Sequence, residues 1–415
     1  MEGKRVVLTG MGTVNPLGMN VADTWKKVIA GESGIGPITH FDASNLPTKI
    51  AGEIKDFDYK QYYSEEHLKS AKRADLFVHY AVASMKEALE SSGVDIKKDP
   101  DRIGISMGSG IGGLQVQADN AIALANKGPR RVSPFYIPMS IGNIAAGFIS
   151  MIYGFRGPNL STQTACATAN HGIGIAMMLI KAGMADVMFA GGTEGTVVEL
   201  ALAGFSNMRA ISSRNDDPKT ASRPFDKDRD GFVMSEGSSI LVLEDYDHAK
   251  ARGANIICEI ASIGMSGDAY DFVAPDPEGG GALLSMKMAL SQSGIKSEEI
   301  DYINMHGTST PVGDIAESKA VYKLLNGKQD NISVGSTKSM HGHLLGATAG
   351  LEAIICAMAI KDGKIPANIN IENLDPEIPL TCINTDVVEK DVKVVMSNSF
   401  GFGGHNSTLI LKKID

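Results

Sequence analysis

Short apolar runs rich in β-branched residues alternate along the chain with longer segments whose apolar residues recur at helical spacing. An apolar run of about four to eight residues is typical of a buried strand, and apolar positions three and four residues apart are typical of a helix with one buried face. The runs that predict strands are Arg5–Thr9, Arg102–Met107, Val187–Ala190, Ser239–Leu243, Ile256–Ile263, Tyr302–Met305, Ile332–Ser336, Val392–Ser397 and Thr408–Leu411.

Helical patterns lie between these runs and end at glycines. The predicted helices are Ala74–Ser91, Ala165–Ala182, Gly313–Leu325 and Leu345–Lys361. Gly93, Gly327 and Gly363 follow three of them and are typical stop signals. The segment that begins at Ala165 is apolar nearly all round, which predicts a helix buried among neighbours. The alternation of strands and helices predicts an α/β fold.

Parts of the chain repeat in the same order. The segment pairs are Asp101–Gly110 with Asp301–Thr310, Asn159–Gly172 with Asn331–Gly350, and Glu236–Tyr246 with His405–Asp415. These pairs predict two similar α/β halves related by pseudo-symmetry, residues 1–255 and 256–415. Chance similarity among glycine-rich strand segments is the alternative.

Composition and charge narrow the class of protein. The chain has 415 residues, of which 43% are hydrophobic and 21% are charged, as in ordinary globular enzymes. The net charge of −9 argues against general binding of nucleic acids, which needs a basic surface. The four cysteines show neither a CxxC pair nor metal-ligand spacing, so we expect a reducing compartment. The first predicted strand begins too early for a signal peptide, and the longest apolar run, Ile173–Ile180, is too short to span a bilayer. We therefore expect a cytoplasmic protein.

One cysteine lies where a nucleophile is expected. Cys166 follows a short run with strand character, Leu160–Ala165, and a helix is predicted to begin at or just after it. A helix N-terminus favours thiolate over thiol, and its free N–H groups can stabilise an oxyanion. The simpler interpretation is that Cys166 is one more small buried residue.

Two histidine-containing turns in the second half match this cysteine turn. His306 begins HGTSTPVGD directly after one predicted strand, and KSMHGHLLG follows the next. Active sites of α/β folds gather at such strand ends. A thiolate can hold an acyl group, and two imidazoles can donate hydrogen bonds to the enolate formed when a second, carboxylated thioester loses CO₂. The chain has no metal-binding motif, and residue chemistry alone does not choose between His341 and His343.

The chain resembles the β-ketoacyl-acyl-carrier-protein synthases of the II type, thiolase-like condensing enzymes of fatty acid synthesis. The resemblance runs through VVLTGMGTVNPLG (Val6–Gly18), RPFDKDRDGFVMSEG (Arg223–Gly237) and SNSFGFGGHN (Ser397–Asn406), and so covers essentially the whole chain. It implies a five-layer αβαβα arrangement and an acyltransferase that extends acyl chains by decarboxylative Claisen condensation. It also implies a homodimer that binds no cofactor itself, because the substrate carries phosphopantetheine. The distinction from type I synthases depends on the resemblance alone.

The resemblance also implies residue roles. Cys166 would accept the acyl group, and His306 and His343 would act in decarboxylation. Lys338 would tune the histidine with support from Glu352, although a purely structural ion pair is the alternative. The remaining implied residues are Phe402 as gate and oxyanion-hole donor, Asp268 as latch of a mobile loop Met265–Gly281, Thr308 and Thr310 at the phosphopantetheine arm, and Ile111 and Phe400 at the acyl site. His405 stands where many relatives have threonine and adds a titratable group near the gate.

An acidic carrier protein needs a local basic patch on this acidic chain. The candidates are Lys69, Lys72, Arg73, Arg130, Arg131 and Arg209. The last three match the family's docking positions best, whereas a merely solvated surface is the alternative for Lys69 and Arg73. Residues near Arg130–Asn143 are expected at or near the dimer interface.

Three other functions were weighed. The loop from Gly108 to Gly113 fits G-x-G-x-x-G, but the acidic residue expected about 20 positions later in a dinucleotide-binding enzyme is missing. An inactive chain-length factor would lack the cysteine. A degradative thiolase would have a second cysteine near the C-terminus, where this chain has GFGGHN.

Overall fold

Ten strands form one mixed sheet in the computed structural model, which describes residues 4–414. The strands are β1 (Val6–Val14), β2 (Ile103–Gly108), β3 (Asn159–Leu160), β4 (Val187–Glu194), β5 (Gly237–Asp245), β6 (Cys258–Gly267), β7 (Tyr302–Asn304), β8 (Ser333–Gly335), β9 (Val394–Gly401) and β10 (His405–Lys412). Two-residue strand pairs lie outside this sheet: Gly36–Pro37 with Ile50–Ala51, and Lys364–Ile365 with Val388–Glu389.

The strand order is β8-β7-β9-β10-β6-β1-β5-β4-β2-β3. Read outward from the centre, the first half runs β1-β5-β4-β2-β3 and the second half runs β6-β10-β9-β7-β8, which is the same order. The halves meet where β1 pairs with β6 over only Val7–Leu8 and Cys258–Glu259. The repeated sequence segments therefore fold into repeated topology.

Helices cover both faces of each half. The larger helices are α1 (Val21–Ile29), α2 (Glu65–Ala71), α3 (Leu76–Ser92), α4 (Leu114–Lys127), α5 (Tyr136–Ser140), α6 (Ile144–Tyr153), α7 (Thr168–Lys181), α8 (Glu199–Asn207), α9 (Tyr246–Ala251), α10 (Gly280–Ser293), α11 (Pro311–Leu324), α12 (Lys338–His341) and α13 (Thr348–Asp362). Single 3-10 turns connect several of them.

The helices and the two sheet halves form five layers. α7 and α13 pack together in the centre, α7 against β4 and β2, and α13 against β5 and β9. α3 and α6 cover the outer face of the first half, and α10 with α11 covers the outer face of the second. Every residue of α13 from Thr348 to Ile360 is buried, because sheets lie on both sides of it. The predicted α/β, thiolase-like αβαβα class is confirmed.

Three predicted element bounds were wrong. Strand β3 ends at Leu160 rather than Ala165, since Ala165 has a left-handed φ of 50° that no strand continues through. Helix α7 begins at Thr168, after a 3-10 turn over Ala165–Ala167. The predicted loop Met265–Gly281 is shorter, because β6 continues to Gly267 and α10 begins at Gly280.

The division of the chain at residues 255 and 256 stays a prediction, and the second half's first strand begins at Cys258. Within residues 4–414, no helix has both the length and the apolar character that crossing a bilayer requires.

Candidate active site

A sharp turn between β3 and α7 presents Cys166. The left-handed Ala165 and the 3-10 turn after it direct the chain into the central helix. The Thr168 hydroxyl accepts a hydrogen bond from Thr164 N at 2.9 Å and donates one to Ala165 O at 2.7 Å, which holds the turn closed. Ser399 Oγ donates to Cys166 O at 2.8 Å and joins the turn to β9. The cysteine is buried, with 9% of its surface exposed at the wall of a cavity.

Cys166, His343 and Thr348 form a short chain of polar contacts. His343 Nε2 lies 3.0 Å from Cys166 Sγ, and His343 Nδ1 lies 2.9 Å from Thr348 Oγ1. His341 points away, with Nδ1 at Gly342 O and Nε2 at Thr337 Oγ1. The structure therefore separates two histidines that the residues alone left open: His343 contacts the thiol and His341 does not.

Burial opposes ionisation of the cysteine. Desolvation raises the pKa of Cys166 to about 12, and the nearby Lys338 ammonium lowers it only in part. Burial and Lys338 also hold the pKa of His343 well below its ordinary value. The expectation that the helix terminus favours thiolate is therefore wrong for this resting site, where a neutral thiol faces a neutral imidazole.

His306 lies on the other side of His343. The two rings are nearly perpendicular, at 82°, with centroids 5.5 Å apart. Glu317 of α11 accepts from the backbone N–H groups of His306 and Gly307, both at 2.8 Å, and so fixes this turn. Burial, with Lys338 and His343 nearby, holds the pKa of His306 well below its ordinary value. Both catalytic candidates are thus neutral rings facing one cavity.

Lys338 and Glu352 form a buried ion pair behind the histidines. Lys338 Nζ donates to Glu352 Oε1 at 2.5 Å, and each side chain is at most 1% exposed. Burial raises the pKa of Glu352 to about 7, against the opposing effect of Lys338. The pair is structural in that it joins α12 to α13, and its ammonium also lowers the pKa values of both histidines, so the two interpretations weighed for it are compatible.

The predicted gate lies beside the cysteine. Gly401 packs so closely on the turn that a Cβ there would lie 3.0 Å from Cys166 N and 2.7 Å from Thr164 O. Phe402 is 36% exposed at the cavity wall. Aromatic contacts run inward from it through Phe205 and Phe232 to His343. The gate is therefore in contact with the catalytic ring through packed side chains.

One cavity of about 700 Å³ brings the predicted substrate residues together. Its wall includes Cys166, His306, His343, Ile111, Phe400, Phe402, Asp268, Thr308, Thr310 and Arg209. Thr308 and Thr310 hydroxyls are 3.0 Å apart. Asn406 Nδ2 donates to Asp268 Oδ1 at 2.6 Å, which ties the second loop to the gate hairpin. His405 lies on the same hairpin, exposed, with its ring centroid 6.5 Å from that of His171.

The basic docking candidates are all exposed: Lys69, Lys72, Arg73, Arg130, Arg131 and Arg209. Arg73 stacks on Phe135, its guanidinium carbon 4.0 Å from the ring centroid, so the end of α2 contacts the segment predicted at the dimer interface. Only Arg209 also lines the cavity. These placements are compatible with docking and do not test it.

The glycine-rich loop that resembles a dinucleotide-binding motif contacts a carboxylate of the protein itself. Gly110 N–H donates to Glu194 Oε2 at 2.8 Å, and Ile111 N–H donates to Glu194 Oε1 at 3.3 Å. These are the groups that would otherwise bind a phosphate. Among residues 4–414, no three His, Cys, Asp or Glu side chains are grouped to hold a metal ion.

Three residues of the site were not found from the sequence: Thr348, Glu317 and Glu194. Thr348 repeats Thr168 in the second half, and this repetition was a usable signal. Glu317 lies with Asp314 on the buried face of α11, where an acidic residue is unexpected. Glu194 ends an otherwise apolar strand. Buried carboxylates at strand ends and on apolar helix faces were the missed signal.

Two family models match the chain: the β-ketoacyl synthase N-terminal domain over residues 3–249 and the C-terminal domain over residues 257–372. The 3-oxoacyl-[acyl-carrier-protein] synthase 2 of Coxiella burnetii is 48% identical over 415 residues, with 100% of both chains covered. The enzyme of the same name from a Synechocystis strain is 49% identical, covering 100% of this chain and 99% of its own.

Solved structures agree with the sequence comparisons. A β-ketoacyl synthase from Burkholderia phymatum superposes with a TM-score of 0.92 at 31% identity, covering 99% of this chain and 100% of that one. A type II polyketide ketosynthase solved with its acyl carrier protein superposes with a TM-score of 0.91 at 28% identity, covering all of both chains. On this evidence the chain belongs to the β-ketoacyl synthase family.

Proposed function

We propose that the protein is a 3-oxoacyl-[acyl-carrier-protein] synthase of the II type, which extends acyl chains in fatty acid synthesis by decarboxylative Claisen condensation. The observation that carries the proposal is the contact between Cys166 Sγ and His343 Nε2 at 3.0 Å, with His306 facing the same cavity. Full-length relatives named synthase 2 support this reaction over others on the same fold.

In the first step the thiol attacks the acyl thioester. His343 Nε2 accepts the thiol proton as the sulfur–carbon bond forms, and passes it to the phosphopantetheine thiolate that leaves. Cys166 N–H and the backbone beside Gly401 lie where a tetrahedral oxyanion would form. The neutral resting pair is suited to this step, because the base is unprotonated when the substrate arrives.

In the second step malonyl-carrier protein loses CO₂ and leaves an enolate. His306 and His343 donate to its oxygen, which requires the Nε2–H tautomer. Thr348 Oγ1 can accept from Nδ1–H or donate to bare Nδ1, so it supports His343 in both steps. The enolate carbon attacks the acyl carbonyl and expels the Cys166 thiolate, which takes a proton from solvent.

The acyl groups arrive on an acyl carrier protein. A structural relative was solved with its carrier protein bound, and the exposed arginines and lysines beside the cavity suit an acidic partner. Thr308 and Thr310 line the path for the phosphopantetheine arm, with Asp268 on the loop above. The enzyme itself binds no cofactor in this proposal. It works in the cytoplasm, where carrier-protein-dependent synthesis would supply its substrates.

The active form is a homodimer. Strand β3 is the last strand of the sheet, so its outer edge lacks a partner within the chain. Exposed apolar side chains surround it: Phe135, Ile137, Ile141, Met151 and Leu160. A second copy meeting this edge would bury both the free backbone groups and the apolar patch. Sedimentation of a fully active monomer would exclude the dimer.

Elongation assays test the function. The purified protein should convert acyl- and malonyl-carrier protein into the 3-oxoacyl product, and Cys166→Ala should abolish this. Cys166→Gln should still release CO₂ from malonyl-carrier protein, because both histidines remain. A folded Cys166→Gln protein that releases no CO₂ would contradict the division of roles between the thiol and the histidines.

A further inference from the structure

Glu194 is a buried carboxylate to which the condensation assigns no role. It ends strand β4 and has no exposed surface. Its partners among the described residues are neutral donors: Ser109 Oγ at 2.6 Å, Gly110 N at 2.8 Å, Gly346 N at 2.9 Å and Ile111 N at 3.3 Å. A buried carboxylate held only by neutral donors is expensive, so its position asks for an explanation.

The pseudo-symmetry of the fold shows what this carboxylate replaces. The turn that presents Cys166 recurs at Leu345–Ala347, with a second left-handed residue, Leu345 at φ 47°, and a second threonine at the helix start. Gly346 is the counterpart of Cys166. Its N–H donates to Glu194, whereas Cys166 N–H lies where the substrate oxyanion would form. Glu194 is thus a built-in anion at the second turn.

The contact between the halves is close at this point. A Cβ at Gly346 would lie 2.4 Å from Gly110 N and 2.8 Å from Glu194 Oε2, so the position accepts only glycine. Ser109 extends the network, because its hydroxyl accepts from Gly112 N–H at 2.8 Å. The carboxylate therefore fixes the loop Ser109–Gly112 against the second turn.

Both segments that Glu194 joins form the wall of the substrate cavity. Gly110 and Ile111 line it from the first half, and Leu345 lines it from the second. Ile111 and Leu345 pack with Cys166 in one apolar cluster. A change in the spacing between these segments would change the width of the wall that the acyl chain meets.

We propose that Glu194 is a positioning residue for the acyl pocket, which holds the Ile111 loop against the Leu345 turn and thereby sets which acyl chains the enzyme prefers. The proposal rests on the condensing function proposed above. It concerns selectivity among acyl chains and leaves the decarboxylation chemistry of the histidines unchanged.

The geometry requires a carboxylate rather than any polar side chain. Three N–H groups and one hydroxyl converge on its two oxygens, and an amide would place an NH₂ group against at least one N–H donor. Burial raises the pKa of Glu194 to about 7, while the same four donors lower it. Glu194→Gln therefore loses part of the network with little change in side-chain volume.

The test compares Glu194→Gln with wild type over acyl-carrier proteins of increasing chain length. We expect a flatter profile, with the ratio of kcat/KM between the best and worst chains falling at least about fivefold, within the range that pocket contacts supply. Decarboxylation in the Cys166→Gln background should stay within about twofold. Hydrogen exchange over residues 108–113 should be faster. Glu244→Gln is the control, because Glu244 is equally buried but bonds Thr9, His248 and Arg252 instead of the cavity wall.

An unchanged chain-length profile in folded Glu194→Gln, or an equal loss for every chain, would overturn the proposal. If that variant does not fold, Ser109→Ala removes one donor and keeps the carboxylate. It should flatten the profile in the same sense but less, and an unchanged profile there would equally overturn it. A wild-type protein that elongates no acyl chain would instead refute the proposed function, so the two failures are distinct.

Discussion

At the scale of single residues, burial outweighs the helix terminus in setting the state of Cys166. The thiol lies one turn before a central helix, yet desolvation raises its pKa to about 12. The same burial keeps His343 neutral, so the acceptor of the thiol proton is available without prior ionisation. The site therefore moves a proton during acylation rather than storing a thiolate before it.

This protonation state predicts how alkylation of Cys166 depends on pH. With a raised pKa, the thiolate fraction at neutral pH is small and grows about tenfold for each pH unit. The rate of iodoacetamide labelling, followed by mass spectrometry of the Cys166 peptide, should still rise between about pH 8.5 and 10, where an ordinary thiol levels off. Cys166→Ala is the control for labelling elsewhere. A plateau below pH 8 would show a stored thiolate.

The Lys338–Glu352 pair predicts a large loss of stability when one partner is removed. Glu352→Gln leaves a buried ammonium without its counter-ion, and we expect the free energy of unfolding to fall by about 3–5 kcal/mol. Urea denaturation measures it. Glu90→Gln is the matched control, because Glu90 pairs with Lys86 on the exposed face of α3 and should cost less than about 1 kcal/mol. Equal losses in both variants would contradict a special role of burial.

At the scale of elements, two anchors hold the loop between β6 and α10. Asp268 fastens its start through Asn406 and through its own N–H, which donates to Gly404 O at 3.0 Å. Glu278 fastens its end to α11 through Lys319 Nζ at 3.0 Å and Lys323 Nζ at 2.9 Å. Between them Phe272 is 79% exposed, and its carbonyl accepts from Gly403 N–H of the gate at 2.9 Å. The middle of the loop is thus free to move with the gate.

Removing the second anchor should loosen this loop without unfolding the protein. In Lys319→Ala/Lys323→Ala, hydrogen exchange over residues 268–279 should become faster by several-fold, while overall stability falls by less than about 1 kcal/mol, because the ion pairs are exposed. About 1 M salt should produce a similar change in wild type. Lys328→Ala, which removes the exposed contact to Glu298, is the control. Unchanged exchange in the double variant would show that Asp268 alone holds the loop.

At the scale of the whole molecule, an acidic chain must attract an acidic partner. The net charge of −9 repels a carrier protein at long range, so the exposed arginines near the cavity have to act locally. Arg130 and Arg131 lie in a single exposed turn after α4, and Arg209 follows α8 at the cavity mouth. Docking should therefore depend on few side chains and on salt.

Reversing two of these charges tests the docking surface. Arg130→Glu/Arg131→Glu should raise the KM for acyl-carrier protein about tenfold or more and change kcat much less, because the variant weakens encounter rather than chemistry. Steady-state kinetics at low and moderate salt measure the effect. Lys97→Glu/Lys98→Glu, at a connection before β2, is a control of equal charge change. Unchanged KM in the first variant would exclude this surface.

The sequence predicted most of the sheet, because apolar runs and glycine stops are local signals. Most predicted strands differ from the observed ones mainly at their ends, and the glycines after α3 and α13 are left-handed caps as expected. The run after Leu160 was misjudged, since the turn at Ala165 depends on hydrogen bonds to Thr168 and on packing against Gly401. Such contacts join residues far apart in the chain and leave no periodic trace.

By itself the sequence determined the α/β class, the internal repeat and the residues capable of acyl transfer, because composition, periodicity and residue chemistry are properties of the chain alone. Only the tertiary structure decided that His343 rather than His341 meets the thiol, that Cys166 rests as a thiol, and that Glu194 joins the two halves of the pocket. These outcomes depend on distance and burial. Both arise when the two halves close around α7 and α13, and a linear sequence does not contain them.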